Sequence, residues 1–120
     1  MREERLRATA GLDGSLSLSS WRGRSGRRYV VGIHALTEAD LLDVVDAVLI
    51  AVRRDADGVA RVVDVAAAGA HARETRRRHW LGSVRERGAT ELHVHRLAQG
   101  DAERRAILED LRDDAVLASA

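Results

Sequence analysis

The sequence predicts an α+β domain, in which a small, mostly antiparallel sheet is packed against helices on one of its faces. Short segments with the polar–apolar alternation of strands, or rich in β-branched residues, recur along the chain. Segments with helical spacing and capping signals lie between them. Leucine and valine must supply most of the core, because the 120-residue chain has two tryptophans, one tyrosine and no phenylalanine.

The first predicted elements form a hairpin. Residues 1–14 lack a clear period and are predicted to be a flexible N-terminal arm, so that residues 15–120 form a single domain. Segment 15–19 alternates serine and leucine, as a half-buried strand does. Segment 21–27 contains two glycines and predicts a turn, and segment 29–33 predicts the returning strand.

A helix and a second hairpin follow. Thr37, with a carboxylate three residues later, fits a capping box and predicts a helix over 38–46. Residues 47–52 are a continuous apolar run of strand length, and Asp-Ala-Asp-Gly at 55–58 is a strong turn signal. Residues 59–65 therefore predict the strand that returns from this turn.

The last third of the chain predicts a helix, a strand and a final helix. The first helix covers 71–87, with Trp80 on its inner face and Gly88 as its C-terminal stop. The strand covers 90–97, and Asp101 can cap the helix that follows. The predicted order is therefore ββ-α-ββ-α-β-α. The inner faces of the two helices also contain Leu81, Val84, Ile107, Leu108 and Leu111.

The residue types that are missing exclude several kinds of chemistry. The chain has no cysteine, which excludes disulfides, thiolate nucleophiles and cysteine-ligated metals. All 20 positive charges are arginine, so lysine Schiff bases are also excluded. No apolar stretch is long enough to cross a membrane, and the first residues lack the apolar core of a secretory signal. We therefore expect a cytoplasmic protein without a membrane partner.

Arginine-rich segments are the candidate binding surface. The net charge of +1 conceals segments 1–28 and 70–88, in each of which arginines outnumber acids by four. Gly23 and Gly26 could turn backbone amides toward an anion, although a plain hairpin loop explains them better. A helix also spreads successive arginines around its surface, and Trp80 can belong to the core. The candidate residues for binding nucleic acid or another anion are Arg22, Arg24, Arg27, Arg28, Arg73, Arg76 and Arg77.

Two histidines are the candidate metal ligands. His93 and His95 lie on one face of the predicted strand, a spacing that suits two ligands of one divalent ion. Glu91 is in line with them, and a third imidazole would come from elsewhere in the chain. The alternative is that both histidines lie on the exposed face of an edge strand, with no cofactor bound. The candidates for the third imidazole are His34, His71 and His79.

Residues 46–111 resemble the GIY-YIG nuclease domain in the order of their elements. The resemblance places the first motif strand at 48–50 and the second at 61–64. It implies that segment 73–78 supplies the family's arginine, and that Glu103 or Glu109 supplies its metal-binding glutamate. Neither motif tyrosine is present, since Leu49 and Val62 stand at their positions and Asp64 replaces a motif glycine.

The missing tyrosines make this chain resemble a degenerate member of the family. In that family the tyrosines help to position the attacking water, which leucine and valine cannot do. We therefore expect a non-catalytic binding module that contacts nucleic acid or a protein through arginine-rich loops. Two alternatives remain: a metal-dependent nuclease or phosphodiesterase that uses His93 and His95, and an adaptor subunit that pairs through strand 15–19.

Overall fold

The computed structural model describes residues 3–5, 17–68 and 74–112. The α+β class and the element order predicted from residue 15 onward are confirmed, with one further strand before them. The strands are β1 Glu3–Arg5, β2 Ser17–Arg22, β3 Arg28–Ala35, β4 Ala47–Arg54, β5 Ala60–Ala68 and β6 Glu91–His95. The helices are α1 Glu38–Asp43, α2 Glu74–Glu86 and α3 Asp101–Leu111.

All six strands form one antiparallel sheet in the order β1-β2-β3-β6-β4-β5. Strand β6 lies inside the sheet, where Val94 is opposite Gly32 of β3 on one side and Leu49 of β4 on the other. The expectation that β6 is an exposed edge strand is therefore wrong. The alternation of its residues indicated a strand, but alternation alone does not reveal which strands become its neighbours.

The helices pack on both faces of the sheet, which corrects the prediction that they cover one face. All six residues from Ala47 to Val52 are buried. Leu49 belongs to the core under α1 and α2, whereas Ile50 belongs to the core under α3. Successive side chains of a strand point to opposite faces, so a continuous apolar run requires cover on both.

The turn and capping signals were largely correct. The hydroxyl of Thr37 accepts a hydrogen bond from the backbone N–H of Asp40, 3.1 Å away, as the capping box predicts. Gly26 and Gly58 adopt φ values of 91° and 86° in the two hairpin turns, a conformation that favours glycine. Gly100, and not Asp101, occupies the N-cap position of α3.

The N-terminal segment and the first tryptophan differ from the prediction. Glu3–Arg5 pairs with β2 as an edge strand, although this segment was expected to belong to a flexible arm. Trp21, expected in a turn, lies within β2 and is fully buried. The predicted start of the second helix at 71–73 lies outside the described residues. In the described ranges, no helix has the length and apolar character needed to cross a membrane.

Candidate anion-binding site

The turn between β2 and β3 exposes a group of arginine side chains. The backbone N–H of Gly23 donates to the carbonyl of Arg27 at 2.9 Å, and that of Gly26 donates to the carbonyl of Gly23 at 3.0 Å. These bonds fix a tight turn at the end of the hairpin. The guanidinium of Arg27 lies 5.8 Å from the centre of the Tyr29 ring, within the range of a cation–π contact. The four exposed arginines of this turn are Arg22, Arg24, Arg27 and Arg28.

The carboxylate of Asp110, near the end of α3, is bound to this turn. Its Oδ1 accepts from the backbone N–H of Ser25 at 2.8 Å. Its Oδ2 accepts from the Ser25 hydroxyl at 2.6 Å and from the Tyr29 hydroxyl at 2.6 Å. The backbone carbonyl of Asp110 also accepts from the N–H of Arg24 at 2.9 Å. A helix 85 residues away in sequence is thereby attached to the turn.

Gly23 leaves the space that the Asp110 carboxylate fills. A Cβ atom at this position would lie 2.2 Å from Oδ2 of Asp110, far closer than non-bonded atoms can approach. The two glycines were expected to turn backbone amides toward an external anion. Instead, the N–H groups of Gly23 and Gly26 bond within the turn, and the N–H of Ser25 bonds to Asp110. The structure therefore shows this turn holding an anionic group of the chain itself.

These contacts shift the ionisation of both partners. Partial burial raises the pKa of Asp110, but the hydrogen bonds from Ser25 and Tyr29 outweigh it, and the pKa lies below its usual value. Burial and the neighbouring Asp110 carboxylate both raise the pKa of Tyr29. At neutral pH the pair is thus an ionised carboxylate and a phenol that keeps its proton.

The arginines of α2 do not extend the surface formed by the β2–β3 turn. Helix α2 packs on the sheet face opposite to α3. Arg77 donates to the backbone carbonyls of Leu41, Val44 and Val45 at the end of α1, so its guanidinium serves to hold two helices together. This guanidinium is therefore engaged within the fold, and its role in binding an external anion remains a prediction. Arg76 is exposed on α2, and Arg73 lies outside the described residues.

His93 and His95 are buried and already hydrogen-bonded. His93 has no exposed surface and accepts from Trp21 Nε1 at its Nδ1, 2.9 Å away. Its Nε2 must then carry the proton, which it donates to Glu91 Oε1 at 2.9 Å. His95 Nδ1 lies 2.7 Å from the carbonyl oxygen of Val30. The alternative to metal binding placed both imidazoles on an exposed face. The structure instead buries both of them.

His93 belongs to a network of charged groups on the same sheet face. Arg54 donates to Glu91 at 2.6 Å and to Glu3 at 2.8 Å. The side chains of Glu3, Arg54 and Glu91 are only 8%, 17% and 20% exposed. Three strands lie between β1 and β4, so the sheet must curve for Glu3 to reach Arg54. We call Glu3, Arg54, Glu91 and His93 the buried cluster.

The charges of the buried cluster compensate one another in part, since Arg54 lies between two carboxylates. Burial raises the pKa values of Glu3 and Glu91, but hydrogen bonds with Arg54 outweigh it, and both pKa values are lowered. Burial lowers the pKa of His93, and the two nearby carboxylates only partly oppose that effect. The cluster therefore contains two carboxylates, one guanidinium and a neutral imidazole at neutral pH. Such an arrangement stabilises the fold and leaves no hydrogen-bonding group of His93 for a substrate.

The candidate metal site formed by His93 and His95 has no third ligand in the part of the chain that the structure describes. No group of three or more His, Cys, Asp or Glu side chains there could hold a metal ion. Of the suggested third ligands, His34 contacts Arg96 and His79 lies on α2 across the sheet, while His71 is outside the described residues. The proposed His93 and His95 pair remains a prediction without a ligand that would complete it.

The positions compared with the motif tyrosines lie on different faces of the sheet. Leu49 is buried in the core under α1 and α2, whereas Val62 packs against the core under α3. A β-bulge between Ala51 and Val52 changes the register of β4 and β5 between these positions. Side chains at these two positions therefore do not converge on one site.

The sequence did not reveal Asp110, Glu3 or Arg54 as partners in these sites. Asp110 is one of several acids in a helix, and its contact with Ser25 depends on where α3 packs. Glu3 and Arg54 are 51 residues apart and meet only through the curvature of the sheet. Gly23 carried the one usable local signal, since it stands in a turn beside arginines. Comparisons of the chain with known protein families, with curated proteins and with solved structures gave no significant match.

Proposed function

We propose that this chain is a non-catalytic module that binds nucleic acid through the β2–β3 turn. The observation that carries the proposal is the group of four exposed arginines on a turn whose backbone is fixed by α3. Guanidinium groups hold phosphate oxygens through paired N–H groups. A turn with a rigid backbone reduces the conformational entropy that is lost on binding. The segment from Arg22 to Arg28 contains no acidic residue.

The hydrogen bonds already made by His93, His95 and Asp110 support a module without enzymatic activity. Both ring nitrogens of His93 are hydrogen-bonded within the fold, and His95 is buried beside Tyr29. The Asp110 carboxylate already accepts three hydrogen bonds. The ring nitrogens of His93 are therefore not available to activate water, and the existing bonds of Asp110 hold its carboxylate to the turn.

The kinship we propose for residues 46–111 is that of a degenerate GIY-YIG domain. The order hairpin, helix, strand, helix within β4 to α3 supports this kinship. The apolar residues at the tyrosine positions, which face opposite sides of the sheet, support the loss of cleavage. On this proposal the hairpin β2–β3 is an addition to the family core and now provides the binding surface.

Salt-dependent binding to oligonucleotides tests the proposed function. A fluorescent oligonucleotide, single- or double-stranded, is titrated with protein while its anisotropy is followed. If the turn neutralises about four phosphates, the affinity for duplex DNA should fall about 100-fold between about 50 and 200 mM salt. The double variant Arg24→Ala/Arg27→Ala should lose about two units from the slope of log affinity against log salt concentration.

The second hairpin provides a matched control with the same change in charge. Arg53 and Arg61 flank the turn between β4 and β5, where both are ion-paired with Asp55. The variant Arg53→Ala/Arg61→Ala should change the affinity by less than about twofold, because these ion pairs compete with phosphate. Equal losses in the two double variants, or no binding at low salt, would contradict the proposal.

A further inference from the structure

The donors that hold Asp110 belong to the β2–β3 hairpin and form a small site of their own. Ser25 supplies a backbone N–H and a hydroxyl, and Tyr29 supplies a second hydroxyl. Gly23 closes the floor of the site, because any Cβ there would occupy the position of the carboxylate. We call these three residues the oxyanion site. They would remain in place if the Asp110 side chain rotated away.

The chemistry of the oxyanion site matches a phosphodiester as well as a carboxylate. Both groups carry one negative charge on two neighbouring oxygens. The site donates to both oxygens of Asp110, one from the Ser25 N–H and the other from two hydroxyls. Arg24 and Arg27 are exposed on the same turn, where they can contact the remaining oxygens of a nucleic-acid backbone.

The rest of α3 is attached independently of the Asp110 carboxylate. Leu111 is fully buried, Ile107 is nearly so, and both pack in the core on this sheet face. The backbone carbonyl of Asp110 also accepts the N–H of Arg24. The carboxylate can therefore leave the site by a side-chain rotation, while the helix remains in place.

We propose that the oxyanion site binds a backbone phosphate of nucleic acid and that the Asp110 carboxylate competes for the same donors. This inference rests on the proposed function and adds the atoms that hold one phosphate. It makes Asp110 an internal competitor that weakens binding in the wild-type chain. Removing the charge of Asp110 should strengthen the binding of nucleic acid. Removing a group of the turn that contacts the nucleic acid should weaken it.

The variant Asp110→Asn tests the competition, with a fluorescent thymidine oligonucleotide as the probe. We expect the affinity to rise about tenfold, because an amide competes poorly with phosphate for N–H and O–H donors. Asp43→Asn, at an exposed position at the end of α1, makes the same change in charge away from the turn. It should change the affinity by less than about twofold. An equal gain in both variants would overturn the proposal, since it would be due to net charge.

Two further changes in the Asp110→Asn background separate the site from charge. Gly23→Ala should cancel the gain, because its Cβ fills the oxyanion site, and Tyr29→Phe should reduce the gain by removing a donor at constant charge. The amide resonance of Ser25 in ¹⁵N-resolved spectra should shift when the oligonucleotide is added. Circular dichroism and thermal unfolding confirm that each variant is folded.

The outcomes distinguish failure of the site from failure of the function. Salt-dependent binding that requires Arg24 and Arg27, without a gain in Asp110→Asn or a shift of Ser25, overturns the oxyanion site and leaves the proposed function standing. No binding in either wild type or Asp110→Asn overturns both. Binding in Asp110→Asn alone supports the competition at the oxyanion site and overturns the proposed function, because Asp110 then blocks the site in the wild-type chain.

Discussion

The two hairpin turns of this molecule both carry arginines but place the neighbouring acids differently. In the β4–β5 turn, Asp55 accepts from Arg53 at 3.1 Å and from Arg61 at 2.9 Å. The third arginine there, Arg54, is held by two acids of the buried cluster. In the β2–β3 turn, Asp110 accepts from a backbone N–H and two hydroxyls, and the four arginines of the turn are exposed.

The number of arginines in a segment therefore does not determine the positive charge that a partner meets. An acid that pairs with the guanidinium groups of its own turn neutralises them locally. An acid that bonds to the backbone and hydroxyls does not itself pair with the guanidinium groups of the turn. The position of Asp55 and Asp110 thus separates a structural arginine turn from a candidate binding turn.

The largest effect on stability is expected from removing the side chain of Arg54. Arg54→Ala leaves Glu3 and Glu91 without their cation in a largely buried environment. We expect the free energy of unfolding to fall by about 3 kcal/mol, because an uncompensated buried charge is costly. Urea unfolding followed by circular dichroism measures this change.

The neighbouring Arg53 is the control for this prediction. Its side chain is half exposed and pairs with Asp55, so Arg53→Ala should cost less than about 1 kcal/mol. Similar losses in the two variants would contradict the distinction between a buried and an exposed arginine of the same strand.

A smaller effect is expected from filling the space beneath Asp110. Gly23→Ala should lower the free energy of unfolding by about 2 kcal/mol, because the new Cβ displaces the carboxylate. Gly82→Ala provides a control of opposite sign, since nothing lies within 4 Å of its Cβ in α2. That variant should gain up to about 1 kcal/mol from helix propensity. Thermal unfolding of both variants decides whether the Asp110 contact is close-packed.

The smallest effect is a difference in the pH dependence of the two regions. The pKa of His93 in the folded chain is lowered from 6.5. As the pH falls below 6.5, His93 is therefore protonated in the unfolded chain before it is protonated in the folded one. The free energy of unfolding should therefore decrease from that pH downward. It should decrease more steeply below about 4.5, as the unfolded chain begins to protonate Glu3 and Glu91, whose folded pKa values are also lowered.

Oligonucleotide affinity should respond differently over the same range. The pKa of Asp110 is lowered from 3.8, so the group does not titrate between pH 7 and pH 5. Urea unfolding at several pH values should detect the loss of stability, while anisotropy at the same values should show constant affinity. Burial also lowers the pKa of His34 from 6.5, so His93→Gln should reduce the loss between pH 7 and pH 5 without abolishing it. A His93→Gln variant that retained the whole loss would contradict the prediction for His93.

The local signals in the sequence were sufficient for the elements but not for their arrangement. The alternation of 15–19, the Thr37 capping signal and the turn before Gly58 predicted the strands, the helix start and the hairpin because each depends on nearby residues. The burial of His93 depends on β3 and β4, which pair with its strand from distant parts of the chain. No local pattern contains that information.

The candidate site was predicted in part for the same reason. The arginines from Arg22 to Arg28 and their glycine-containing turn were visible in the sequence and are exposed in the structure. Arg77 was visible too, but its contact with the end of α1 depends on how two helices pack. The Asp110 contact joins residues 85 positions apart and could not be inferred from either segment alone.

The central position of β6 has a consequence for how the chain completes its fold during synthesis. Strands β3 and β4 each pair with β6, which is the last of the described strands to leave the ribosome. Until residues 91–95 emerge, the two hairpins lack the strand that joins them, and two rows of backbone hydrogen-bonding groups stay unsatisfied. The β2–β3 hairpin with its arginines therefore becomes part of a finished sheet only after β6 has been synthesised.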